Sequence, residues 1–136
     1  MDNLISNAKY LRDLTGDWRE PLENMIAGDD DFTVGDWRYI RDDLLVDTLV
    51  SELDGDHYHL GGFSANFIAD VTDLPEAMIE CCQQAGQYAV VGEAIVDGGW
   101  LHKLAERAIA IDGAGHFFNS HDGNEYNVAN YSIFHI

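Results

Sequence analysis

Between residues 29 and 56 the chain carries ten carboxylates: Asp29, Asp30, Asp31, Asp36, Asp42, Asp43, Asp47, Glu52, Asp54 and Asp56. Only Arg38 and Arg41 oppose them in that stretch. Beyond plain solvation, acids at this density serve two chemistries: ligation of a hard cation, or presentation of a row of anions to a cationic partner. On a helix, Asp43 and Asp47 would rise along one edge by about 6 Å. Asp54 would point along the same edge. Phosphates along one DNA strand recur at a comparable spacing, and the duplex carries one charge per roughly 1.7 Å of axis. A rigid fold displaying carboxylates in this way fits the basic groove of a nucleic-acid-binding protein. The expected contacts are Asp29, Asp30, Asp31, Asp36, Asp43, Asp47, Asp54 and Asp56, each pairing with Lys or Arg of the partner.

Calcium is the rival use. Asp54-Gly55-Asp56 resembles a piece of an EF-hand loop. With Glu52 as position 1, His57 falls where the turn Gly is required and Phe63 where the bidentate Glu is required. The match fails at both diagnostic places. Asp29-Asp30-Asp31 offers oxygens without a defined loop.

Six histidines raise the question of a transition metal. His57 and His59 alternate as strand neighbours on one face would, and His116 and His121-Asp122 flank an expected hairpin. His102 stands one turn before Glu106, a spacing that suits a salt bridge. No HExxH or CxxC pattern is present. A metal-dependent hydrolase using His116, His121 and Asp122 is the third-ranked functional reading. No GxSxG elbow or P-loop occurs, and Gly113-Ala114-Gly115 lacks the third Gly of a dinucleotide fingerprint. The vicinal pair Cys81 and Cys82 falls on an apolar helix face, which points to burial. No catalytic residue, metal or cofactor is expected.

The elements that would position these groups follow from composition and periodicity. The chain has 136 residues, 25 acids, 7 bases and a formal net charge of −18. Its length fits a single domain spanning 1–136. Hydrophobic content of 46% and 15 aromatic residues argue against disorder throughout the chain. The charge argues against direct contact with nucleic acid or an anionic membrane, both of which need a basic face. No secretory signal or membrane-length apolar run is visible, and adjacent cysteines form no disulfide framework, so the cytoplasm of a host cell is the expected compartment. Asn130-Tyr131-Ser132 matches a glycosylation sequon, a triplet that arises readily by chance.

Leu4, Ile5, Ala8 and Leu11 have helical spacing, closed near Thr15-Gly16. Glu20-Pro21-Leu22 starts a second helix that ends at Gly28. Phe32–Val34 and Trp37–Ile40 read as short strands. Leu45, Val46, Leu49, Val50 and Leu53 share a helical arc, with Asp42 as cap and Gly55 as stop. A short helix is expected over 64–71. Asp73 with Glu76 three residues on suggests a capped helix burying Leu74, Ala77, Met78, Cys81, Cys82 and Ala85 on one face. Tyr88–Val96 is a further segment. Trp100, Leu104, Ala108 and Ile111 form the buried stripe of a last helix. Residues 115–128 read as a hairpin turning at Asp122-Gly123, followed by a strand from Tyr131. The sum is an α+β fold: several short helices on a small, mostly antiparallel sheet with a C-terminal hairpin.

Three stretches and a closing hairpin resemble small acidic proteins encoded by bacteriophages, prophages and plasmids. They are Asp31-Phe32-Thr33-Val34-Gly35-Asp36-Trp37-Arg38-Tyr39-Ile40, Leu60-Gly61-Gly62-Phe63-Ser64-Ala65-Asn66-Phe67-Ile68-Ala69-Asp70 and Asp112-Gly113-Ala114-Gly115-His116-Phe117-Phe118. The hairpin His121-Asp122-Gly123-Asn124-Glu125-Tyr126 and the strand after it complete the set, which covers residues 31 to 136. The resemblance implies a setting in which small acidic proteins inhibit host defence by imitating nucleic acid, as anti-CRISPR and antirestriction proteins do. It implies no catalytic residue. The leading expectation is therefore a non-enzymatic DNA mimic that occupies the groove of a nucleic-acid-binding defence protein or complex. A homodimer is compatible with this reading. The alternative is a phage interaction or assembly protein in which the acids only solvate and aromatic residues such as Trp37 or Tyr39 make the contacts.

Overall fold

The computed structural model describes residues 3–136 and has the α+β class expected from the sequence. In chain order its elements are α1 (Leu4–Thr15), α2 (Arg19–Ala27), β1 (Asp31–Val34), β2 (Trp37–Arg41), a 3-10 turn (Asp42–Leu44), α3 (Leu45–Asp54), α4 (His57–Leu60), α5 (Ala65–Val71), α6 (Glu76–Gln84), α7 (Tyr88–Asp97), α8 (Leu101–Asp112), α9 (Ala114–Phe118), β3 (Tyr126–Val128) and β4 (Tyr131–His135). They group into two compact units. One is built from both ends of the chain, residues 3–45 and 112–136, and the other is Val46–Ile111.

In the first unit the strands form an antiparallel sheet of order β1-β2-β4-β3. The register sets Val34 opposite Trp37, Trp37 opposite His135, and Tyr126 opposite Ile133. Alternation then sends Phe32, Tyr39, Val128, Tyr131 and Ile133 to one face, where Leu11 of α1 and Leu22 and Met25 of α2 complete a buried cluster. Ile40 and Phe134 lie on the other face and are also buried. There Phe118 of α9 sets its ring 5.3 Å from that of Phe134. The helices α1 and α2 stop at Gly16 and Gly28, both left-handed, as the sequence indicates.

The C-terminal hairpin is present, but its turn is Ala129-Asn130, since Val128 pairs with Tyr131. Residues 115–118, expected as strand, fall in helix α9 instead. Ala114, Gly115 and Phe118 are buried together, a helical and not an alternating spacing. Asp122-Gly123 does turn the chain, in the loop leading to β3.

In the second unit α4 packs on α7, and α6 packs on both α5 and α7. Buried side chains include Leu49 and Leu53 of α3, Ile68 and Val71 of α5, Val91 and Ile95 of α7, and Leu104 and Ala108 of α8. His57 and His59 are not strand neighbours. They stand in the single turn α4, whose N-cap Asp56 accepts from the His59 amide at 3.0 Å. Helix α6 begins after Pro75, not after an Asp73 cap, and it buries Ile79 while Met78 and Cys81 face outward. Ile111 is exposed as well. Asp42 does not cap α3: it belongs to the preceding 3-10 turn, and its carboxylate accepts from the Ser132 hydroxyl.

Candidate functional site: the acidic surface

All eight expected contact carboxylates are exposed. Five belong to the first unit: Asp29 and Asp30 between α2 and β1, Asp31 at the start of β1, Asp36 in the β1–β2 turn, and Asp43 in the 3-10 turn. Three of these five are tied to the arginines of β2. Arg38 grips Asp31 with both ends of its fork, Nη2 at 2.7 Å and Nε at 3.0 Å, and its guanidinium lies 5.3 Å from the Phe118 ring centre. Arg41 reaches Asp30 through Nη1 at 2.8 Å and Asp43 through Nε at 2.7 Å, and also donates to the Gly28 carbonyl. The Asp43 hydrogen bond raises the pKa of Arg41, and the same bond holds the Asp43 carboxyl below its ordinary range. These acids brace the sheet edge and are partly neutralised where they stand.

The expected row is also broken geometrically. Asp43 lies in the 3-10 turn and α3 begins at Leu45, so the α-helical rise does not relate Asp43 to Asp47. Asp47 and Asp54 do share α3, seven residues and about 10 Å of axis apart.

The second unit presents its charge differently. It carries eleven acids and two bases, against fourteen acids and five bases in the first. All eleven carboxylates are exposed. Neither Lys103 nor Arg107 forms an ion pair among the described residues. Among the described residues the ion-pair partners of Asp47 and Asp54 are imidazoles, His102 and His57, each at 3.7 Å. Asp70, Asp73, Glu76, Glu80, Glu93, Asp97 and Glu106 extend this surface beyond the 29–56 stretch that drew attention in the sequence. The signal that points to them is the scarcity of bases over 46–111 and not any local density of acids.

The histidines have other occupations. His116 stands edge-on to Phe117, His121 stacks on His135, and Asp122 accepts from the Tyr126 hydroxyl at 2.8 Å. A backbone amide from Asn124 and that hydroxyl hold the Asp122 carboxyl below its ordinary range. Among the described residues no group of three or more His, Cys, Asp or Glu is placed to hold a metal ion.

The first unit also exposes apolar side chains on or beside its helices: Ile5 of α1, Ile26 of α2 and the α2 N-cap Trp18 are 88%, 60% and 42% exposed. One shallow cleft is lined by Leu4, Met25, Ile26, Ala129 and Asn130, another by Ile5, Ala8, Lys9, Arg12 and Trp18.

No family model, curated protein or solved structure matches the chain. No helix among the described residues is long and apolar enough to cross a membrane.

Proposed function

We propose that this protein is a non-enzymatic inhibitor of the anti-CRISPR or antirestriction kind, an acidic mimic of DNA that occupies the basic groove of a nucleic-acid-binding defence complex. One observation carries the reading: over Val46–Ile111 eleven exposed carboxylates face solvent against two bases. Such a surface repels itself, at a cost to the compact state. A partner that supplies Lys and Arg relieves that repulsion and gains fast, salt-sensitive association. On this reading Asp47, Asp54 and Asp56 are the primary contacts, and their exposure supports it. Within the first unit, Asp29 and Asp36 are free of the arginine pairs that hold Asp30, Asp31 and Asp43. The test is capture from bacterial lysate on the immobilised full chain. A nucleic-acid-binding complex that duplex DNA displaces supports the mimic, and captured partners indifferent to DNA refute it.

A second reading rests on the exposed Ile5, Trp18 and Ile26: an interaction or assembly protein that docks through its apolar helix surface while its acids only solvate. Its binding would survive high salt and fall when Ile5 is replaced by Asp.

A further inference from the structure

Where α6 gives way to α7 in the second unit, a shallow pocket is lined by Glu80, Gln83 and Gln84 of α6 and by Tyr88 of α7. Two of these residues are fixed from outside it. The Gln83 side chain reaches the chain after α4, where its Nε2 donates to the Gly61 carbonyl at 2.9 Å and to the Phe63 carbonyl at 2.8 Å. Carbonyls only accept, so both amide protons are spent there and Oε1 is the atom Gln83 can offer a ligand. Tyr88 sits where α4 and α7 approach most closely, its carbonyl oxygen against Gly61. Its half-buried ring lies 5.0 Å from that of the exposed Tyr58, the planes tilted by 55°. The ring and the amide are therefore in place before a ligand arrives, which lowers the ordering cost of binding.

We infer that this pocket receives an arginine side chain of the partner protein, with Glu80 facing the guanidinium charge, Gln83 Oε1 accepting a second N–H and the Tyr88 ring supplying a flat surface. The inference deepens the mimic reading and rests on it for the identity of the partner. The side chains set the sign of the pocket, because the negative end of α6 and the positive end of α7 both lie here and oppose each other. Glu80 is exposed and forms no ion pair among the described residues. No Lys or Arg occurs between Arg41 and Lys103, and the helices α4 and α5 that pack on α7 and α6 add His57, His59 and Asp70. Glu76 on α6 and Glu93 and Asp97 on α7 are acids as well. A cation is the ligand such surroundings favour. Between the two cationic side chains, arginine matches the lining: its planar fork can donate to a carboxylate and an amide oxygen together while its face lies on a ring. Lysine brings a point charge that uses neither the plane nor the spacing.

The test is an NMR titration of the full chain, at neutral pH and low salt, with the N-acetyl amides of arginine, lysine and citrulline. Citrulline keeps the shape of arginine without its charge. The arginine probe should shift the Tyr88 ring and the Gln83 side-chain amide more than any other exposed group. The lysine probe should bind there more weakly, and the citrulline probe should leave both signals in place. Glu80→Gln changes an exposed side chain and should weaken the arginine probe about fivefold, the upper end for an exposed ion pair. Arginine shifts that miss Tyr88 and Gln83, or that spread evenly over the exposed carboxylates, would overturn the pocket. So would lysine or citrulline binding as well as arginine, or an affinity that Glu80→Gln leaves unchanged. No captured partner enters this titration, so a failed pocket leaves the DNA-displacement test of the mimic standing. A captured partner indifferent to DNA refutes the mimic whatever the probes do.

Discussion

Tyr39 is fully buried between the sheet and α1–α2, its ring stacked 4.8 Å from that of Phe32. Its hydroxyl has no hydrogen-bond partner among the described residues. Thr15 draws the phenol's pKa downward, but its own Oγ1 lies 2.9 Å from the Leu11 carbonyl and 2.8 Å from that of Asp17. Burial dominates and pushes Tyr39 up to about 12. The folded state therefore favours the neutral phenol. The stability this contributes is intact below the ordinary tyrosine value of about 10 and is lost as pH rises through about 12, an effect on the order of 2 kcal/mol. Tyr39→Phe should leave stability at neutral pH unchanged or raise it by up to about 1 kcal/mol, since an unpaired buried hydroxyl is removed. It should also lose less stability than the parent at alkaline pH. Urea unfolding of both proteins at neutral and strongly alkaline pH checks this, and an equal alkaline loss would contradict it. Asp43 and Asp122 act at the other end of the scale. Their carboxyls titrate low in the fold, so the stability they contribute is present above the ordinary carboxylate range and drains away as pH falls through their folded values.

Among the elements, the tightest approach is between α4 and α7. A Cβ on Gly61 would stand 1.8 Å from the Tyr88 carbonyl oxygen, and one on Gly92 would stand 2.1 Å from that of His57. Each glycine admits the other helix's backbone. Gly61→Ala and Gly92→Ala should each cost about 3 kcal/mol, the upper range for overpacking against atoms that cannot rotate away. Gly62→Ala, whose nearest obstacle is 3.3 Å away, should cost less. Thermal or urea unfolding of the three variants tests the ranking, and near-neutral behaviour of Gly92→Ala would contradict it. The same region shows where sequence reasoning loses its footing. Periods of 3.6 and 2 placed α1, α2, β1, β2, α3 and α8, because each is long enough for one face to repeat. The four-residue α4 has no such repeat, so the alternation of His57 and His59 imitated a strand. Helix α9 is equally short, and its Gly115 is chosen by a close approach to the Gly123 carbonyl that no local pattern announces. The hairpin turn at Ala129-Asn130 lacks glycine although Ala129 has φ +53°, so Asp122-Gly123 offered the stronger but misplaced signal. The α6 face failed for another reason: only Ile79 is buried, and the small or flexible residues beside it remain at the surface.

For the molecule as a whole, net charge was legible from composition, but its distribution was not. The stretch 29–56 reads as the most acidic, yet Asp31 is held by Arg38, and Asp30 and Asp43 by Arg41, through cross-strand and turn geometry that spacing on a helix wheel does not reveal. The acid-rich, base-poor surface lies over Val46–Ile111, spread thinly through helices α3 to α8. Reversing Asp47 and Asp54 together to Lys is therefore the cleaner probe of the mimic. Both side chains are exposed, and their ion-pair partners among the described residues are imidazoles at 3.7 Å, so the fold should survive. Circular dichroism and the unfolding midpoint should stay near those of the parent while affinity for a captured defence complex falls about tenfold or more, as removal of close charge pairs at steered interfaces does. Unchanged affinity would remove this edge of α3 from the interface.

The central claim is that the acids bind where phosphates would, and the salt dependence of binding tests it most directly. The dissociation constant of the full chain for its captured partner would be measured from about 0.05 to 0.5 M salt, with and without competing duplex DNA. The account predicts affinity that falls steeply with salt, a shallower slope for the Asp47→Lys, Asp54→Lys variant, and mutually exclusive binding of protein and DNA. An affinity indifferent to salt, in a complex that still binds DNA, would contradict it.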